Sequence, residues 1–389
     1  MNMSIPAYAF QSKSRVLTDA EKAEFGRRVD EIRETVMQNL GKTDADHVYK
    51  VRNFVRRTEI ASRAMLMFGG WIPPVWLIAT GMLGVSKIVE NMELGHNVMH
   101  GQYDWLNDPS LSGATYDWDT ICTGEDWKYT HNYVHHTYTN VLGRDHDIGY
   151  GVMRMTREQE WEPRFLLNVP MAAILSTGFE WLLSLQRLEF EKVLHGEKTL
   201  KEVYVQSANL RKKMVRQFGK DYVFFPLIAG PMFLPVLAGN FTANLIRNFW
   251  ASAVIYCGHF TADAEMFEDN IENETRADWY LRQIKGSSNF TGGNIIHFMS
   301  GNLSHQIEHH LFPDMPANRY RDVAPQIEAL CNEYGQHYNK ASFAKQFASV
   351  WVRLAVHSLP NNVVDAVGHS TNSIKQRISR IFSRQAKAV

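Results

Sequence analysis

The spacing of histidine constrains this chain more than any other feature of its sequence. Eight of its 16 histidines fall into three short clusters that read HNVMH, HNYVHH and HQIEHH. Side chains four residues apart lie on the same face of a helix, with their Cβ atoms about 6 Å apart. Each cluster can therefore present two imidazoles to one centre, and the fold must bring three helical segments to a common point.

The clustered histidines are the candidate metal ligands of the chain. They are His96, His100, His131, His135, His136, His305, His309 and His310. A structural zinc site closes with four ligands, so this set is too large for one. No HExxH motif occurs, which excludes a zinc hydrolase of that kind. Carboxylate-rich di-iron bundles use paired Glu-x-x-His motifs, and Glu93–His96 is the one such pair that touches a cluster. A histidine-rich di-iron site remains, and it suits O2 activation against a C–H bond.

The first of two apolar blocks, residues 61–89, predicts a helical hairpin. A single membrane span needs roughly 17–25 apolar residues, and Pro73-Pro74 near the middle of this block is a natural break. We expect the second arm to continue to His100. Basic residues shortly before or at the start of the block favour the cytoplasmic side for that end of the chain. They are Lys50, Arg52, Arg56, Arg57 and Arg63.

The second apolar block, residues 222–259, predicts two spans separated by a turn at Gly239-Asn240. Arg247 lies within the second of these spans, where a charge must reach water or face protein. Between the blocks, residues 170–186 are apolar except for Glu180, and we expect a helix that lies at the membrane interface.

Composition excludes several classes of function. The chain has 41 basic and 41 acidic side chains, and this balance argues against a general nucleic-acid binder. Cys122, Cys257 and Cys331 are too far apart to form a disulfide framework or to hold an iron–sulfur cluster. If the chain were a metal transporter, its spans would carry polar residues along an ion pathway. The two blocks are mostly apolar, which disfavours that alternative.

The clusters and their surroundings resemble the membrane fatty-acid desaturase family across roughly residues 60–330. The three boxes stand in the order of that family, and the third continues as HHLFPDMP. The longer phrases HNVMHGQYDWLNDP, YTHNYVHHTYTN and GNLSHQIEHHLFP resemble bacterial acyl-CoA desaturases of the mycobacterial stearoyl-CoA type.

The resemblance implies an all-α integral membrane protein of the inner cell membrane. We expect two transmembrane helical hairpins and a cytoplasmic helical cap that holds the di-iron site. Residues 1–60 would form a cytoplasmic helical region, with a helix after a cap at Thr18 or Asp19. Residues 61–330 would form the desaturase core. Residues 331–389 would be cytoplasmic and end in a basic tail, residues 373–387, which is either a solvated segment or an amphipathic helix that touches anionic lipid.

The resemblance also implies that the eight box histidines are the iron ligands. A further ligand often comes from the end of the last span in this family, and His259 in IYCGHF has that place, with His297 as its rival. Some relatives open the third box with glutamine, and this chain has both His305 and Gln306. Because His305 is spaced from its two partners as His131 is from its own, we predict that His305 coordinates iron and Gln306 does not.

Acidic residues near the boxes are candidates to orient the ligating imidazoles through their second ring nitrogen. They are Glu93, Asp126, Asp145, Asp147 and Glu308. An acyl-CoA head group requires basic residues near the mouth of the site, and Lys128, just before the second box, is a candidate substrate-binding residue.

The implied reaction is the O2-dependent formation of a cis double bond in a long-chain acyl-CoA, with stearoyl-CoA at Δ9 as the expected substrate. A fatty acyl or lipid hydroxylase that uses the same two Fe²⁺ ions is the alternative. No HPGG motif of a fused cytochrome b5 occurs. The resemblance therefore implies that electrons come from NAD(P)H through a separate reductase or a ferredoxin.

Overall fold

A computed structural model describes residues 13–194 and 196–366. This part of the chain is mostly helical, as predicted, and it has two short parallel strands, β1 (Asn289–Thr291) and β2 (Lys340–Ser342). The helices of the first half are α1 (Asp19–Met37), α2 (Lys42–Gly69), α3 (Pro73–Val89), α4 (His96–Met99), α5 (Gly124–Trp127), α6 (His136–Tyr138), α7 (Asn168–Thr177), α8 (Phe179–Leu185) and α9 (Phe190–Leu194). Those of the second half are α10 (Leu200–Gln206), α11 (Ala208–Phe218), α12 (Phe225–Ile228), α13 (Phe233–His259), α14 (Arg276–Gly286), α15 (Asn294–Met299), α16 (Gln306–Leu311), α17 (Tyr320–Glu333) and α18 (Phe343–His357). The predicted basic tail, residues 373–387, lies outside the described residues.

The N-terminal helix begins where the sequence predicts. Thr18 caps α1 by accepting a hydrogen bond from the backbone of Glu21, and the Glu21 carboxylate accepts from the backbone of Thr18 in return. This reciprocal pair satisfies donors that a helix end otherwise leaves open. Phe25 and Val29 then bury α1 in a core that it shares with α14 and α17.

The first apolar block folds into the predicted helical hairpin. Helix α2 ends at Gly69 and α3 begins at Pro73, where a proline needs no hydrogen-bond donor. Helix α3 runs on through a π-helical turn, Glu90–Gly95, into α4. The second arm therefore leads directly to the first histidine cluster.

The second apolar block breaks earlier than predicted. Gly239-Asn240 is not a turn, because both residues lie inside the 27-residue helix α13. The break lies instead at the 3₁₀ turn Gly230–Met232. Gly239 instead allows close packing, since a Cβ there would lie 2.9 Å from Cδ2 of Leu66 on α2. The Asn240 side chain donates to the carbonyl of Asp221 and accepts from Arg63, so both residues serve helix contacts.

Membrane spans are not evident from single helices. Within the described residues, no one helix combines the length and apolar character needed to cross a bilayer. One pair of segments, Pro163–Thr177 and Phe179–Leu188, meets that requirement together but is bent by 102°. This pair covers the predicted interfacial segment, residues 170–186.

Arg247 faces protein, which is one of the two environments that the sequence predicts for it. It is buried and lies 2.5 Å from the carboxylate of Glu180 on α8. Helix α13 also packs against α3, α7 and α18, and it ends at His259. It therefore connects the apolar half of the chain to the histidine clusters.

Candidate metal centre

Four imidazoles from the three clusters form a first histidine group: His96, His100, His131 and His309. One ring nitrogen of each lies within 4.8 Å of those of the others. The Nε2 atom of His96 is 3.3 Å from that of His131 and 3.1 Å from that of His100. Nitrogen lone pairs that converge in this way on one point are suited to a shared cation.

Three further imidazoles form a second histidine group: His135, His259 and His310. The Nε2 atom of His259 lies 3.3 Å from that of His135 and 3.1 Å from that of His310. All three side chains are buried. The structure thus places His259 at this site, whereas its predicted rival His297 stacks on His305 elsewhere, with ring centroids 5.2 Å apart.

His136 lies between the two groups. Its ring stacks on that of His310 at 4.4 Å, and it packs edge-on against His100 at 4.7 Å and His309 at 4.9 Å. Although it is buried, neither ring nitrogen has a hydrogen-bond partner among the described residues. A buried imidazole in that state is costly unless a ligand completes it.

A π-helix brings the second cluster together. Residues Lys128–His135 wind as a π-helix, in which each turn holds more residues than in an α-helix. Residues at positions i+4 and i+5 then both lie beside residue i. The ring of His131 is accordingly 5.1 Å from that of His135 and 5.0 Å from that of His136.

The structure does not bring His305 into either group, which corrects the prediction for that residue. The equal spacing of the second and third clusters does not give equal positions, because their backbones differ. His305 ends a 3₁₀ turn with φ −105° and ψ 56°, and α16 begins only at Gln306. His131 lies in the same continuous helix as His135 and His136, whereas His305 lies one residue before the helix that carries His309 and His310.

Gln306 occupies the position that the sequence analysis gave to His305. Its amide nitrogen lies 2.9 Å from Nε2 of His259, and its Oε1 has no hydrogen-bond partner within the described chain. Gly258 permits this approach, because a Cβ there would lie 2.9 Å from Cδ of Gln306. The amide oxygen of Gln306 is therefore available beside the second histidine group.

Two of the five predicted acidic residues contact the histidines. The Asp145 carboxylate lies 2.9 Å from Nδ1 of His135 and also accepts from the backbone of Asn140. Asp147 lies 3.6 Å from Nδ1 of both His131 and His135. The Asp145 carboxylate directs Nε2 of His135 toward the second group by holding Nδ1, and Asp147 adds negative charge beside both rings.

The other three predicted acidic residues have different partners. Glu93 pairs with His47 at 2.6 Å, and Asp126 accepts from Thr123 at the start of α5. Glu308 accepts from Asn289 and Tyr338. Each stabilises the packing around the clusters without contacting a histidine of either group.

Neutral residues that the sequence analysis missed orient the third cluster. Nδ1 of His310 lies 3.1 Å from the Gln283 amide oxygen and 3.3 Å from the Thr139 hydroxyl. Nδ1 of His309 lies 3.3 Å from the hydroxyl of Tyr320. Gln283 lies on α14 and Tyr320 on α17, both outside the histidine boxes. No short-range sequence motif therefore links them to the boxes.

Burial keeps most of these imidazoles neutral. It lowers the pKa of His131, His309 and His310 well below its ordinary value, and neighbouring histidines lower it further. Burial also acts to lower the pKa of His135, but the carboxylates of Asp145 and Asp147 outweigh it and raise that pKa overall. Neutral imidazole is the form that binds a metal.

The donor set fits a metal-bound state. Nε2 of His309 and both ring nitrogens of His136 are buried and lack a hydrogen-bond partner in the part of the chain that is described. Buried polar atoms are otherwise almost always paired. Soft thiolates are absent from the two groups, and imidazole donors suit zinc, copper, iron and nickel.

An apolar cavity borders both histidine groups. Its walls include His96, His131, His135 and His259. The indole of Trp127 stacks on His131 with ring centroids 4.5 Å apart and also lines this cavity. A mostly apolar cavity with a few convergent polar groups is typical of a small-molecule site.

Lys128 lies away from the histidines, along an open groove. Its Nζ donates to the carbonyls of Gly113 at 3.0 Å and Ala114 at 2.7 Å. Three further basic residues of α11 line the same groove, namely Lys212, Lys213 and Arg216.

Comparison with known proteins assigns the family. The profile of the fatty acid desaturase family matches residues 69–342. The chain is 42% identical to the NADPH-dependent stearoyl-CoA 9-desaturase of Mycobacterium tuberculosis, over 94% of this chain and 86% of that protein. It is 26% identical to the sn-1 linoleoyl-lipid 6-desaturase of Arthrospira platensis over 82% of this chain and 86% of that protein. It is 24% identical to human fatty acid desaturase 3 over 75% of this chain and 65% of that protein. The protein belongs to the fatty acid desaturase family.

Proposed function

We propose that this protein is an O2-dependent acyl-CoA desaturase that introduces a cis double bond into stearoyl-CoA at Δ9. The observation that carries the proposal is the apolar cavity beside two converging histidine groups. The substrate is taken from the relative that shares 42% of its residues over nearly the whole chain.

We propose that the two histidine groups hold two iron ions. His96, His100, His131 and His309 would bind one ion, and His135, His259 and His310 the other. The ring of His136 would lie between the two groups. Gln306 would offer its amide oxygen beside His259. When bound, the two ions would activate O2 for removal of hydrogen from a methylene carbon.

The residues around the cavity would supply positioning and exclusion of water. Trp127 and Phe179 give the wall an aromatic surface that suits an acyl chain. Asp145 would hold the imidazole of His135 in place through Nδ1. Fixed ligands and a fixed chain raise the rate because no reorganisation is needed during the reaction.

The open groove would bind the phosphates of the acyl carrier. Lys128, Lys212, Lys213 and Arg216 line it and offer a concentration of positive charge. Asp117 pairs with Lys213 and Arg216, so these two side chains are held at the wall of the groove. Lys128 remains our candidate substrate-binding residue, here through the charge of the groove.

We propose that the hairpin tips enter a bilayer. Phe68, Trp71 and Ile72 are exposed where α2 meets α3, and Leu227 and Ile228 are exposed where α12 ends. Solvent-exposed apolar patches of this kind are typical of membrane contact. The residues before and after the core, 1–60 and 331–389, would then lie on the cytoplasmic side, where a separate NAD(P)H-dependent reductase can deliver electrons.

The experiment is product analysis with purified protein, a matched reductase, NADPH, O2 and stearoyl-CoA. We expect oleoyl-CoA, with the double bond located by mass spectrometry after derivatisation. A hydroxystearoyl product would favour the hydroxylase alternative. No product from any acyl-CoA, with iron bound and electrons delivered, would contradict the proposal.

A further inference from the structure

Two tryptophans lead outward from the first histidine group. The indole of Trp127 stacks on His131 with ring centroids 4.5 Å apart, and it packs edge-on against His96 at 5.2 Å and His100 at 5.4 Å. The ring of Trp118 follows, with its centroid 5.0 Å from that of Trp127. Both indoles are buried. A continuous line of aromatic rings therefore leads away from the candidate metal ligands.

A tyrosine with a carboxylate partner lies at the outer end of this line. Trp118 and Tyr116 pack over the same glycine, because a Cβ on Gly95 would lie 3.0 Å from Cβ of Trp118 and 3.4 Å from Cε1 of Tyr116. The Tyr116 hydroxyl donates to the Glu90 carboxylate at 3.4 Å. Trp118, Tyr116 and Glu90 line an open polar cleft that also includes Asp119. The line of rings thus ends at a half-buried phenol that solutes can reach.

We propose that Trp127, Trp118 and Tyr116 form an escape route that conducts oxidising equivalents from the metal centre to the polar cleft when no acyl chain is in place. This inference rests on the proposed function, since it requires a centre that activates O2. An activated centre without a methylene group to oxidise would otherwise damage its own surroundings. Met99 is at risk there, because it packs against both tryptophans and its thioether is readily oxidised to the sulfoxide.

Each passage moves one electron inward and one proton to a neighbouring base. Tyr116 loses an electron, which passes through Trp118 and Trp127 to the metal centre and reduces it by one equivalent. The phenol O–H bond breaks in the same step, and its proton moves to the Glu90 carboxylate. The products are a neutral tyrosyl radical and a protonated Glu90. A one-electron donor in solution, such as ascorbate, then reduces the radical, and the proton returns from Glu90 to the phenol oxygen.

The available proton acceptors explain why the route ends at the tyrosine. The indole N–H of Trp118 donates to the carbonyl of Cys122 at 2.7 Å, and a carbonyl is too weak a base to take that proton. An oxidised Trp118 therefore keeps its proton and remains a strong oxidant. Tyr116 can lose its proton to a carboxylate, so the oxidising equivalent comes to rest on Tyr116.

Glu90 is suited to hold that proton. Both of its carboxylate oxygens accept from the backbone N–H of Asp119 at 3.1 Å, which fixes the group beside Tyr116. Burial and the Asp119 side chain raise the pKa of Glu90, and Lys213 and Lys220 oppose this shift without cancelling it. A carboxylate whose pKa is raised is the stronger base toward the phenol.

The test is electron paramagnetic resonance on reduced, iron-loaded protein that is mixed with O2 in the absence of acyl-CoA and then frozen. We expect a tyrosyl radical in the native protein, identified by the narrower spectrum of protein that contains ring-deuterated tyrosine. Tyr116→Phe keeps the ring but has no phenol O–H, so the radical should be lost. Tyr49→Phe is the matched control and should keep the radical. Tyr49 also donates to a carboxylate, that of Asp108 at 3.1 Å, but it lies outside the cluster that contains the two tryptophans.

A second variant tests the connection between the centre and the tyrosine. Trp118→Phe keeps an aromatic ring in place, but phenylalanine is much harder to oxidise than tryptophan. The tyrosyl radical should therefore be lost although Tyr116 and its carboxylate partner are intact. If Tyr116→Phe does not fold, Trp118→Phe decides the question alone.

Peptide mass spectrometry after repeated exposure to O2 gives a readout that does not depend on the radical. Met99 should accumulate more sulfoxide in Tyr116→Phe and Trp118→Phe than in the native protein or in Tyr49→Phe. Equal oxidation of Met99 in all four proteins would overturn the inference.

A native protein whose iron is oxidised by O2 without formation of a tyrosyl radical would also overturn the inference, as would a radical that persists in Tyr116→Phe or Trp118→Phe. Failure to form product from any acyl-CoA, with iron bound and electrons delivered, would contradict the proposed function instead. The two failures are therefore distinguishable.

Discussion

The amide nitrogen of Gln306 lies 2.9 Å from Nε2 of His259, so the third histidine box meets the end of α13 through a glutamine. His305 lies one residue earlier and stacks on His297 outside both histidine groups. The identity of the residue that contacts the centre is therefore set by where α16 begins, and not by the number of residues between histidines.

The first prediction compares the two adjacent residues of the third box. Gln306→Ala should weaken metal binding by ~10–100-fold, as loss of a group beside a metal ligand typically does. His305→Ala should keep its iron, because its ring contacts His297 and not the centre. Iron per chain, measured by elemental mass spectrometry, tests this directly. Loss of iron from the histidine variant alone would restore the equal-spacing prediction.

The second prediction concerns the carboxylate that orients His135. Asp145→Asn keeps the shape of the side chain but removes the charge beside Nδ1, so we expect metal affinity to fall by ~10–100-fold. Asp126→Asn is the matched control, because Asp126 accepts from Thr123 and contacts no histidine of either group. Titration with Fe²⁺ or Co²⁺ measures both. Equal affinities in the two variants would remove the assigned role of Asp145.

The sequence identifies the three clusters and their pairing, but not the backbone that connects them. The i, i+4 rule correctly pairs His96 with His100, and it gives no reason for His136 to lie beside His131. That contact depends on the π-helix of the second box. The position of His305 outside both histidine groups depends on a 3₁₀ turn. Both are local departures from the α-helix that hydrophobic spacing does not reveal.

The break in the second apolar block was misplaced for a similar reason. A glycine followed by asparagine is typical of a turn, but Gly239 is needed for contact with Leu66 in the middle of α13. Neutral partners such as Gln283 and Tyr320 were missed because they reach the histidines from distant segments. The predicted all-α fold and the N-terminal cap depended on short-range pattern, and both were confirmed.

The third prediction tests the close packing at Gly239. Gly239→Val forces atoms against Leu66 and Thr80, so we expect the free energy of unfolding to fall by ~1–3 kcal/mol. Gly81→Val on α3 is the control, because no heavy atom lies within 4 Å of a Cβ at that position. Its effect should be below ~1 kcal/mol. Thermal unfolding in the same detergent measures both variants, and equal losses would argue that Gly239 has no special packing role.

The fourth prediction concerns metal removal. A ligand that binds only the folded state stabilises it by an amount that grows with the logarithm of the free ligand concentration above its Kd. Chelation should therefore lower the thermal unfolding temperature and abolish product formation. Readdition of Fe²⁺ should restore both. A protein whose unfolding temperature is the same with and without chelator, although its metal content falls to zero, would show that the histidine groups are stable without ions.

The most direct test of the two-ion site is X-ray diffraction from iron-loaded crystals at wavelengths on both sides of the iron absorption edge. The account predicts two anomalous peaks per chain. One would lie among His96, His100, His131 and His309, and the other among His135, His259 and His310. A single peak, or iron bound to His305 and His297, would contradict it.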